Sequence, residues 1–113
     1  MSVTDSKLRK QMPVYRGFLQ YFPDAVHLVA MLSARANEKH APGKPIQWVK
    51  GVSADHEDCL ARHLIDIDKM DPEMGLDYRV HVAWRGMAQL QAAIDSSGIE
   101  AFFDQEWEYV REV

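Results

Sequence analysis

The stretch VHVAWRGMAQLQAAIDSS, from Val80 to Ser97, lies within the longest proline-free run of the chain, and its apolar residues recur at helical intervals. Val80, Trp84, Met87, Leu90 and Ile94 fall three or four positions apart, the spacing that lines one face of an α-helix. Pro72 and Gly75 mark a turn before it, and Gly98 permits a break after it. Upstream, Ser53 is a candidate N-cap, with Asp55, Glu57 and Asp58 placed to complement the helix dipole. Leu60, Leu64 and Ile67 supply the stripe of this helix, which is expected to reach about Lys69. A third helix begins at Pro23, a residue suited to the first helical position. It carries Ala25, Val26, Leu28, Val29, Leu32 and Ala36 as far as Asn37.

The sequence thus reads as all-α, with three principal helices, an N-terminal entry arm over residues 1–20, a helical core over 21–97 and a C-terminal appendage over 98–113. In the arm, Thr4 or Asp5 can cap a short helix through Gln11, which Pro13 and Gly17 interrupt. Tyr15, Phe18 and Tyr21 are expected to pack the arm on the body. Between Glu38 and Val52, Pro42, Gly43, Pro45 and Gly51 break regular structure, and Ile46 and Trp48 can anchor the loop. Phe102, Phe103, Trp107 and Val110 offer an apolar face to a short final helix or to another copy of the chain, so a homo-oligomer is expected.

The 113 residues suit one domain with one core. A net charge of -4 argues against duplex nucleic acid as a partner, because such surfaces are densely basic. No apolar run approaches the length of a membrane span. The charged N-terminus and lone Cys59 point to a reducing cytoplasm.

The densest group of reactive side chains is SADHEDCLARHLID, Ser53 to Asp66. Asp55, Asp58, Arg62 and Asp66 share one helical face, where three carboxylates could hold Mg²⁺ and the guanidinium could grip phosphate. The same pattern also describes a solvated face with intrahelical ion pairs. His56 and His63 lie beside the apolar stripe as boundary histidines or ligands, and with Cys59 they match no closed zinc signature. At the end of the first core helix, Lys39 and His40 could contact phosphate, and Trp48 could stack on a base. Routine helix termination and loop anchoring account for the same residues. His81 and Arg85 occupy one edge of the last core helix, with Trp84 nearer the core. No phosphate-binding glycine loop, dinucleotide fingerprint, paired CxxC or nucleophile elbow is present.

Read in order, YFPDAVHLVAMLSARANEKHAPG, IQWVKGVSADHEDCLARHL and DPEMGLDYRVHVAWRGMAQLQ resemble successive blocks of the phage dATP/dGTP diphosphohydrolase N-terminal family, over Tyr21 to Gln91. The positions that carry the likeness are Lys39 and His40, Trp48, Asp58 with Arg62, His63 and Leu64, Asp71 with Gly75 and Leu76, and His81. The resemblance implies a MazG-like helical bundle of phage or prophage origin. It also implies a Mg²⁺-dependent cleavage of a purine deoxynucleoside triphosphate to monophosphate and pyrophosphate. It assigns Asp55, Asp58 and Asp66 as metal ligands, Asp58 and His63 as catalytic residues, and Lys39, Arg62 and Arg85 as phosphate contacts. MazG enzymes carry an ExxE pair followed by an ExxD pair. Here Asp55 and Asp58 imitate the first with shorter arms, and His81 and Arg85 stand where the second is expected. The departure leaves a second reading beside hydrolysis: a non-catalytic protein that binds and sequesters a nucleotide in phage-host conflict, or a small interaction subunit.

Overall fold

The computed structural model describes residues 5–50 and 55–108. Helix α1 (Ser6–Lys10) is followed by a π-helical turn (Tyr15–Leu19), α2 (Pro23–His40), α3 (His56–Ile65), strands β1 (Met70–Asp71) and β2 (Leu76–Asp77), α4 (Tyr78–Ser97) and a 3₁₀ turn (Ile99–Phe102). The described residues are mainly α, as expected, with one two-stranded sheet. The turn expected at Pro72 and Gly75 is a β-hairpin, antiparallel with Met70 opposite Asp77 and Asp71 opposite Leu76.

Local chemistry accounts for most boundaries. Asp5 caps α1 by accepting from the Lys7 amide at 2.9 Å. Gly17 does not interrupt the arm as expected; it lies inside the π-helical turn, and its added Cβ would meet only Pro13 at 3.5 Å. Pro23 opens α2, which runs past Asn37 to His40 and stops two residues before Pro42. The Ser53 cap lies outside the described residues; Asp55 occupies the N-cap of α3. α3 ends at Ile65, short of Lys69, and Asp68 then takes a left-handed conformation with φ 79°. In the hairpin, the Asp71 side chain accepts from the Glu73 amide at 2.8 Å, and Gly75 supplies the positive φ of 66° that closes the turn. Asp77 belongs to β2 and also caps α4 through the Arg79 amide at 2.8 Å, so strand passes directly into helix.

A small core joins α2, the hairpin and α4. Leu32, Leu76 and Val80 are buried together, with Val29, Met74 and Trp84 packed against them. The Trp84 indole donates to Ser33 Oγ at 2.9 Å, satisfying its N–H where α4 crosses α2. Arg35 of α2 donates to the carbonyls of Met74 and Gly75 at 2.8 and 2.9 Å, fastening the hairpin tip to the helix.

Two expectations about burial are overturned. On α3, Leu64 is 50% exposed and Ile67, beyond the helix end, is 36% exposed, whereas His56 and Cys59 are buried. The face that meets α4 is rotated toward the histidines because α4 presents His81 and Arg85, which need polar neighbours. In the arm, Tyr15 and Tyr21 stand 65% and 71% exposed and do not cover the body; their aromatic neighbourhood is local, with Tyr21 and Phe18 both edge-on to Phe22. No described helix is long and apolar enough to cross a membrane.

Candidate functional site

The seam between α3 and α4 concentrates the reactive side chains. His63 lies two turns beyond His56 on α3, and Tyr78, His81 and Arg85 step along the facing edge of α4 at intervals of three and four. The His63 and His81 ring centroids are 4.7 Å apart, and the Tyr78 ring stacks on His63 at 5.6 Å. Behind them stands the hairpin: Asp71 Oδ2 lies 2.9 Å from His81 Nε2, both side chains almost wholly enclosed. That contact is within ion-pairing range but is not aligned as a hydrogen bond, so His81 Nε2 has no hydrogen-bond partner among the described residues. A buried polar atom left in this condition is uncommon in folded proteins and marks a position able to accept a ligand or exchange a proton.

One turn along α4, Arg85 Nη1 donates to His56 Nδ1 at 3.0 Å. Arginine only donates, so this nitrogen of the buried His56 presents its lone pair. Trp48 brings the 42–50 loop onto the same region, edge-on to Trp84 at 5.6 Å and to His56 at 6.4 Å. Lys50 holds the loop by an ion pair with Asp95 at 3.0 Å. Lys50 and Gln91 together hold the Asp95 carboxyl below its ordinary range.

The electrostatics of the seam follow from its composition. Burial pushes the His63 imidazole below its ordinary value of 6.5, and His81, Arg85 and Arg62 push it further, with Asp71 partly opposing. His63 is therefore neutral at neutral pH and can accept a proton. Partial burial, and then the carboxylates of Asp71 and Asp66, raise the Tyr78 phenol, which keeps its proton as a donor. An imidazole base, a phenol donor and two guanidinium groups around one seam suit the binding of a phosphate ester and a proton transfer beside it.

Of the residues singled out from sequence, His56, His63, His81, Arg62, Arg85 and Trp48 gather around this seam. Lys39 and His40 do not, and Asp55 and Asp66 stand at its margin, one on Arg62 and the other acting on Tyr78. Lys39 pairs with Glu73 at a separate open groove of about 450 Å³ lined by Arg35, Glu38, Lys39, Glu73 and Met74, and His40 is exposed at the end of α2. Asp55 lies 3.7 Å from Arg62, Asp66 lies 3.4 Å from Lys69, and Asp58 is exposed, the pattern of a solvated, ion-paired face. Among the described residues no three His, Cys, Asp or Glu side chains converge to hold a metal. Asp71 and Tyr78 were not among the predicted site residues. Tyr78 was detectable through its three-residue spacing from His81, whereas the approach of Asp71 depends on how the hairpin folds back.

Comparison with protein-family models, curated proteins and solved structures returned no match.

Proposed function

We propose that the α3–α4 seam binds the phosphates of a purine deoxynucleoside triphosphate and hydrolyses it to the monophosphate and pyrophosphate. The observation that carries this reading is the His63–His81–Asp71 group, neutral at His63 and flanked by Arg62 and Arg85. The ordered resemblance of the blocks from Tyr21 to Gln91 supplies the substrate class and the phage or prophage setting. The two arginines would grip phosphate oxygens, His63 would take the proton of the attacking water, and Asp71 would orient His81. Trp48, already at the edge of the seam, is the candidate surface for the base.

Mg²⁺ commonly travels on the triphosphate and meets only one or two protein carboxylates. Purified protein should release pyrophosphate from dATP or dGTP with Mg²⁺, and His63→Gln should lower the rate at least about 100-fold. No turnover above that of His63→Gln would remove hydrolysis.

The presence of His81 and Arg85 where a second acidic pair would be expected supports a second reading, a cytoplasmic protein that sequesters the nucleotide without consuming it. Calorimetry would then show saturable binding with unaltered nucleotide recovered, and Arg85→Ala would weaken it. No heat with any nucleotide would remove both readings.

A further inference from the structure

Among the exposed apolar residues of the described chain, two groups lie near the two ends of the sequence. In the arm, Tyr15, Tyr21 and Phe22 are 65%, 71% and 48% exposed, and neither α1 nor the π-helical turn makes an extended contact with another element. At the other end, Phe102 and Trp107 are 44% and 68% exposed.

The charges at these ends are opposite. The arm carries Lys7, Arg9, Lys10 and Arg16 against the single acid Asp5 between residues 5 and 22. The segment from Ile99 to Glu108 carries Glu100, Asp104, Glu106 and Glu108 and no Lys or Arg. Each segment combines exposed aromatic residues with one predominant sign of charge, the residue types of a protein interface.

We propose that the chain associates with a second copy of itself, the basic aromatic arm of one protomer receiving the acidic aromatic C-terminal segment of its partner. A two-fold axis makes the exchange reciprocal, so the two contacts close and leave no arm or segment free. The aromatic residues supply the buried area, and the charges set register and exclude arm-to-arm pairing.

Sedimentation equilibrium on the full chain tests this without any nucleotide, so its outcome is separate from that of the hydrolase reading. The wild type should sediment as a dimer, with dissociation promoted by salt. Lys7→Glu with Lys10→Glu should weaken association at least about tenfold at low salt, and adding Glu106→Lys with Glu108→Lys should restore it. Phe18→Ser with Phe22→Ser should give a monomer whose helical circular dichroism is retained. A wild-type chain that stays monomeric at about 100 μM, far above the range of specific dimers, would overturn the proposal. So would charge reversals that leave association unchanged, or a monomer that instead binds anionic vesicles through the arm.

Discussion

The α3–α4 seam and the N-terminal arm invert the usual rule of burial in opposite directions. The seam encloses polar groups: His56 and Asp71 are 8% exposed each, although a histidine and a carboxylate lose hydration there. The arm presents aromatic rings to water, with no buried residue in either α1 or the π-helical turn. The inversions have different physical meanings. A buried polar group persists when its neighbours compensate it, and where compensation is incomplete, as at His81 Nε2, the remaining valence suits a ligand or a proton. An exposed aromatic cluster gains nothing from the fold it belongs to, and its stabilisation must come from a surface that covers it.

The largest expected effect separates the core that supports the seam from the arm. Leu76→Ala removes a 5% exposed side chain from the core and should cost about 2–5 kcal/mol in denaturant unfolding, at every protein concentration. Tyr21→Ala should lower the melting temperature only at concentrations where the chain associates. An equal loss from Tyr21→Ala in dilute protein would mean that the arm is part of the monomer's own stability.

Asp71→Ala comes next. It removes the acceptor of the Glu73 amide and the anion beside His81, and should cost about 1–3 kcal/mol in the same measurement. Because Asp71 is the one group that raises His63, the His63 imidazole should titrate still lower in the variant, as followed by NMR. A His63 titration that moves upward would contradict the electrostatic account of the seam.

A smaller effect is expected with pH. His63 is depressed in the folded chain, so the unfolded chain binds more protons below the ordinary value of 6.5. Its contribution to stability is present above that pH and is lost as the pH falls through the depressed value. Thermal melts should therefore drop on acidification below 6.5, and His63→Gln should flatten that part of the profile. Phosphate or nucleotide bound at the seam should shift the His63 titration upward, because the anion offsets the nearby guanidinium groups.

The smallest effect belongs to the loop clamp. Lys50→Ala breaks the exposed pair with Asp95 and should change stability little, with the difference vanishing in high salt. Its visible consequence should be a change in Trp48 fluorescence, since Lys50 Nζ sits 5.2 Å from that ring.

Local signals made much of this molecule legible. Pro23, the apolar spacing through Leu32 and the Pro42–Gly43 stop delimit α2, and the run from Val80 to Ser97 ends at Gly98 as its composition requires. The hairpin escaped because its strands are two residues each, too short for alternation to appear; its signals are the Asp71 side-chain turn and the φ of Gly75, which read as an ordinary loop. The stripe on α3 was misassigned for a related reason. Periodicity identifies an amphipathic helix, but when histidines flank the apolar residues it does not say which edge a neighbour will cover.

The sequence by itself determined the helices, their approximate limits, the absence of a dense basic surface and the presence of His63, His81, Arg62 and Arg85 at helical spacing, because these depend on residues a few positions apart. Only the tertiary structure decided that Asp71 stands behind His81, that Trp48 reaches His56 and Trp84, and that Asp55 pairs with Arg62. It also decided that the arm leaves its rings exposed. Those outcomes depend on the rotation of α3 against α4 and the return of the hairpin, which balance burial and charge across contacts distant in sequence.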